Sequence, residues 1–113
     1  MSPRPLLLAG ALAALLAAPG SLRAQETVSA TITIRNHRFE PTELRLPAGK
    51  RIQLKVINED PTSEEFESRP LKAEKVIAGK SEGIVRISPL APGRYEFIGE
   101  YHEDTAKGVL IAE

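Results

Sequence analysis

Val28, Ala30, Ile32 and Ile34 alternate with Ser29, Thr31 and Thr33. A period of two built on β-branched residues is the pattern of a strand with one buried face. Ile52, Leu54 and Val56 repeat it between Arg51 and Ile57, and Tyr95 and Phe97 repeat it between Tyr95 and Gly99. Shorter apolar runs at Leu44–Leu46, Lys75–Ile77, Ile84–Ile87 and Val109–Glu113 read as further strands. Proline and glycine punctuate them: Asn36–Pro41, Pro47-Ala48-Gly49, Ala78–Gly83 and Pro89–Gly93 each predict a turn. In Pro47-Ala48-Gly49 the glycine suits the positive φ of a type II turn. Leu71–Lys75, with mixed charge after Pro70, predicts a single helical turn or a loop. About seven short strands separated by such turns is the pattern of an all-β, Greek-key sandwich.

The stretch Glu59–Glu67 breaks the alternation by packing five acids into nine residues around Phe66. Extended, Glu65-Phe66-Glu67 would send Phe66 to the core and both flanking carboxylates to the other face, with Glu64 on the side of Phe66.

The first residues have a different character. Arg4, an apolar run from Leu6 to Ala18, a Pro19-Gly20 break and Ala24 follow the order of a secretory signal peptide. The expected division is a signal peptide over residues 1–24 and one small domain over residues 25–113; an uncleaved membrane anchor is the alternative. Loss of Arg4 and Arg23 leaves 13 basic against 15 acidic residues. That mild negative balance gives no footing for nucleic acid. The chain has no cysteine, which excludes disulfides, thiol redox chemistry and a thiolate-bound copper. An exported domain of this size then relies on its core, or on its core and a metal.

Two places offer chemistry. In Gly99-Glu100-Tyr101-His102-Glu103-Asp104 an imidazole sits among carboxylates, a donor mix suited to iron or copper as well as to an ordinary solvated turn. In Glu64-Glu65-Phe66-Glu67, clustered carboxylates repel unless a cation or basic side chains such as Arg69, Lys72 and Lys75 neutralise them. His37, between Asn36 and Arg38, reads as a structural or exposed turn residue rather than a second imidazole ligand, and is left outside the site. Ser63, Ser68 and Ser81 lack a glycine elbow or matched base, so no hydrolase triad is indicated.

The ordered set Ile34-x4-Phe39-x-Pro41, Leu46-Pro47-Ala48-Gly49-Lys50, Leu54-x-Val56-x-Asn58-x-Asp60, Leu90-x-Pro92-Gly93-x-Tyr95, His102 and Gly108-Val109-Leu110-Ile111 resembles a cupredoxin domain. The resemblance places His102 at the loop histidine of blue-copper proteins, Gly99 at their cysteine, Ala106 near their methionine, and Glu64 or Glu65 at their first histidine. Three of four copper ligands are thus replaced, which rules out a blue-copper electron-transfer site.

The acidic replacements resemble the cupredoxin-like periplasmic components of bacterial iron-uptake systems, the small FtrB type more than the EfeO-type cupredoxin domain. That resemblance implies a periplasmic protein that binds copper or iron and assists ferrous-iron oxidation or transfer to an inner-membrane permease or a periplasmic companion. The metal ligands it leads us to expect are Glu65, Glu67, Glu100 and His102. Two rival readings stand beside it: a non-catalytic acidic interaction module, and a copper delivery protein.

Overall fold

The computed structural model of the protein describes residues 26–113; the expected signal segment lies outside them. Nine strands form among the described residues: β1 (Thr27–Arg35), β2 (Arg38–Glu40), β3 (Glu43–Leu46), β4 (Arg51–Asn58), β5 (Glu64–Ser68), β6 (Ala73–Ile77), β7 (Ser81–Ile87), β8 (Gly93–Gly99) and β9 (Lys107–Ala112). A 3₁₀ turn over Glu100–His102 joins β8 to β9. The strands make two sheets, ordered β2-β1-β4-β7 and β3-β9-β8-β5-β6, the all-β sandwich the alternation predicts. β1 lies parallel to β4, with Ile34 opposite Asn58, and β3 lies parallel to β9.

The alternating residues face inward as expected. Ile32, Ile34, Leu54 and Val56 are fully buried between the sheets. Phe39, Phe66 and Phe97 meet at the centre: Phe97 lies edge-on to Phe39 at 5.0 Å and stacks on Phe66 at 5.1 Å. A buried side chain of this kind contributes about 1.5–3 kcal/mol, and an aromatic pair adds about 0.5–1.5 kcal/mol. In a domain without cysteine, this core carries the fold. Gly49 takes the positive φ expected of it, +77°.

The strand count exceeds the expected seven for two local reasons. Asn36 and His37 both adopt positive φ, 54° and 57°. That is the two-residue hairpin geometry whose twist matches its flanking strands, so Arg38–Glu40 pairs with β1 instead of remaining a turn. The second is β5 itself: Glu64–Ser68, an acidic break in the alternation, pairs with both β6 and β8. The chain turns over Arg69–Lys72, closed by the Lys72 amide donating to the Arg69 carbonyl. Ala73–Lys75 is therefore strand, the first part of β6, and neither helix nor loop.

Candidate metal centre

Strand β5 separates its acids by face. Glu64, Phe66 and Ser68 point inward, while Glu65 and Glu67 lie half-buried on the outer face. β6 pairs antiparallel with β5 and sets Glu74 opposite Glu67. The β5/β8 ladder ends at Phe66 opposite Gly99, and the 3₁₀ turn beginning at Glu100 follows. The outcome is a group of four carboxylates, Glu65, Glu67, Glu74 and Glu100, that offer one oxygen each within 4.8 Å of one another.

Three of the expected ligands, Glu65, Glu67 and Glu100, thus come together, and Glu74 joins them. Glu74 falls in the stretch where the sequence predicts a helical turn or a loop. Ala73-Glu74-Lys75-Val76-Ile77 has no period of two, and only the β-branched pair Val76-Ile77 signals a strand there.

The close approach leaves a mark on Glu67. Its carboxyl is raised above the ordinary 4.5, first by a hydrogen bond with Glu100, then by burial and the Glu100 charge, with Arg69 opposing. Glu67 therefore holds its proton more readily than a free carboxyl, because a second carboxylate lies beside it. A group of four hard anionic oxygens suits a divalent or trivalent cation and disfavours cuprous copper, which prefers sulfur.

His102 is not in that group and belongs to a second constellation. Its Nδ1 lies 2.6 Å from Oε1 of Glu64, whose side chain is 2% exposed. Glu64 Oε2 accepts the backbone amides of Tyr101 at 2.8 Å and of Glu65 at 3.1 Å. The face of the His102 ring is covered by His37, stacked at 3.5 Å with the planes 13° apart. The β1–β2 turn that carries His37 is held by Asp60, whose carboxylate accepts the amides of Asn36 at 2.8 Å and His37 at 2.9 Å. Thr105 completes the contact by donating its hydroxyl to the His37 carbonyl at 2.6 Å. With Nδ1 engaged by Glu64, Nε2 is the nitrogen His102 has left to offer.

Burial pushes Asp60 up, but the two amide hydrogen bonds and the neighbouring histidines outweigh it, and the carboxyl lies below the ordinary 3.8. The Asp60 amide bonds in turn to Asn58 Oδ1, while Asn58 Nδ2 donates to the carbonyls of Thr62 and Ile77. Of the acids in Glu59–Glu67, Asp60 and Glu64 are therefore buried structural anchors and not a solvated run.

The positions that the resemblance matched to blue-copper ligands do meet in space. A Cβ built on Gly99 would lie 2.6 Å from the Ala106 Cβ and 2.7 Å from the Glu64 carboxyl carbon. Glu64 fills the space a cysteine would need, and the chain holds no cysteine to supply the thiolate. These residues do not fit a blue copper.

Comparison with known proteins agrees with the architecture. Residues 6–112 match the model of the Cupredoxin-like domain family. An uncharacterised protein of Rickettsia prowazekii (strain Madrid E) is 41% identical over 80 residues, which span 71% of this chain and 64% of the relative's length. Auracyanin A, a "blue" copper protein from Chloroflexus aurantiacus, superposes with a TM-score of 0.68 at 17% identity, over 78% of this chain and 100% of that one. The metal-binding domain of the Cu(I)-exporting P-type ATPase of Streptococcus pneumoniae D39 superposes with a TM-score of 0.66 at 19% identity, over 79% and 97% of the two chains. At such identities the structural matches speak for the fold alone. By sequence and by architecture, this chain belongs to the cupredoxin-like domain family.

Proposed function

We propose that this protein is a periplasmic metal-binding member of the family, of the FtrB or EfeO kind found in iron-uptake systems. In this reading it takes a copper or iron ion at Glu65, Glu67, Glu74 and Glu100, and His102, outside that group, offers its Nε2 from the adjoining turn. The observation that carries the proposal is the convergence of four carboxylates within 4.8 Å on three separate segments of the fold. Unpaired, such a group is mutually repulsive; a bound cation relieves the repulsion.

Hard anionic oxygens stabilise the higher charge of ferric iron over ferrous. The function that follows is assistance in ferrous-iron oxidation, or transfer of iron to an inner-membrane permease. Oxidation of Fe²⁺ to Fe³⁺ releases one electron, and its acceptor would be a companion redox protein or a second metal ion.

The deciding experiment is calorimetric titration of the wild type and of Glu67→Gln with Cu²⁺, Mn²⁺, anaerobic Fe²⁺ and citrate-chelated Fe³⁺. Micromolar or tighter binding, lost in the variant, is the expected result. Heats too weak for such binding, unchanged by the substitution, would leave the acidic interaction module as the better reading. Cu²⁺ binding without faster Fe²⁺ oxidation would favour copper delivery.

A further inference from the structure

We infer that Glu64 is the positioning residue of this centre: its buried carboxylate holds the Glu100 turn against β5 and fixes Nε2 as the free ring nitrogen of His102. The role in metal binding rests on the reading above, whereas the tether and the ring orientation stand apart from it.

Three observations carry the inference. Burial of a carboxylate is strongly unfavourable unless its oxygens are paired, and Glu64, at 1% exposure, has both oxygens engaged, Oε2 by two backbone amides and Oε1 by His102 Nδ1. Those partners are placed where the cluster is built. Glu65 is a cluster member, Tyr101 follows Glu100 directly, and His102 is next. Finally, the backbone ladder between β5 and β8 ends with Phe66 opposite Gly99. One step further along lie Glu65 and Glu100, whose backbones have no such pairing. The Glu64 side chain continues the link where the ladder stops.

The hydrogen-bond pattern also sets the histidine tautomer. Glu64 accepts two amides on Oε2, so it acts as the acceptor toward the ring as well, and the shared proton resides on Nδ1. A carboxylate on one ring nitrogen orients a metal-ligating histidine and leaves the other nitrogen's lone pair available.

Glutamine and leucine separate the two roles. In Glu64→Gln the side-chain oxygen keeps both amides while the new NH₂ donates to His102 Nδ1, which moves the ring proton to Nε2. In Glu64→Leu the volume remains and every acceptor is lost. The test is nitrogen-15 NMR of the His102 ring at neutral pH with hydrogen exchange of backbone amides, on metal-free wild type and both variants.

Expected are an Nδ1–H tautomer in wild type and an Nε2–H tautomer in Glu64→Gln with the Tyr101 amide still protected. In Glu64→Leu the Tyr101 amide should lose protection at least about tenfold while the Leu54 and Val56 amides keep theirs. An Nε2–H tautomer in wild type overturns the inference, as does a Tyr101 amide equally protected in Glu64→Leu. Should the leucine variant fail to fold, the glutamine variant still decides.

Titration with Cu²⁺ then reads the functional consequence, an affinity about 10–100-fold lower in both variants. Equal affinity in wild type and variants overturns the positioning role. A wild type that takes up no Cu²⁺, Mn²⁺ or iron removes the metal-site reading, with the tautomer and exchange results still deciding the tether.

Discussion

His37 and His102 stack face to face, 3.5 Å apart, although 65 positions separate them in the chain. The contact joins the β1–β2 turn to the turn that carries Glu100, and each ring belongs to a segment anchored by a buried carboxylate, Asp60 or Glu64. His37 thus sits in a turn held by Asp60 and packs directly on the ring of His102. Residues in direct contact couple by about 0.5–3 kcal/mol. A double-mutant cycle of His37→Ala and His102→Ala in urea denaturation is expected to give a coupling of about 1 kcal/mol. Strictly additive effects would show that the stack carries no coupling of its own.

Gly99 is required by crowding. Its would-be Cβ meets the Ala106 Cβ at 2.6 Å and the Glu64 carboxyl at 2.7 Å. Overpacking of this kind costs about 1–3 kcal/mol, so Gly99→Ala is expected to lower the unfolding free energy by that amount. Gly99→Cys should do the same and yield no blue charge-transfer band with Cu²⁺, because Glu64 still fills the space beside the sulfur. An intense blue colour in Gly99→Cys would show that the buried pair yields to copper.

Two carboxylates give stability profiles of opposite sign. Asp60 lies below its ordinary 3.8 in the folded protein, so its contribution is present above that pH and is lost as the pH falls through the depressed value. Glu67 lies above its ordinary 4.5, so its contribution is full below 4.5 and is lost as the pH rises through the raised value. Asp60→Asn is therefore expected to destabilise at neutral pH by about 1–2 kcal/mol, with the deficit shrinking in acid. Glu67→Gln should stabilise the metal-free protein at neutral pH and make little difference in acid. Denaturation midpoints measured at about pH 3 to 7 check both, since the linkage is read from the slope against pH. A Glu67→Gln variant less stable than wild type at neutral pH would contradict the repulsion ascribed to the cluster.

Metal should stabilise through that same cluster. A cation present at about a hundred times its Kd adds about 2.7 kcal/mol by mass action, a rise in Tm of about 10 °C or more for a domain this small. Chelation with EDTA should reverse the rise, and Glu100→Gln should abolish most of it. A full shift in Glu100→Gln would place the ion away from these four carboxylates.

Much of the fold was legible because strand periodicity is local. Alternation over Val28–Ile34 and Arg51–Ile57 names the buried face without reference to any other segment, and Gly49 announces its own positive φ. The same logic placed Glu65 and Glu67 on one face of β5 and Glu64 on the other. Less was legible at the site. Glu74 enters through the β5–β6 register, set by a turn at Arg69–Lys72 whose conformation the mixed charges of that stretch obscured. The β1–β2 hairpin was hidden in a segment that reads simply as a turn.

By itself, then, the sequence determined the sandwich, the absence of a thiolate ligand and the acidic character of the region around His102, since each follows from residue type or from a period of two along one strand. Only the tertiary structure decided how those acids divide: Glu65, Glu67, Glu74 and Glu100 into an outer cluster, Glu64 and Asp60 into buried anchors for the two histidines. A carboxylate's role depends on which donors and charges meet it across strands, and those meetings are fixed by register and by loop closure between segments far apart in the chain.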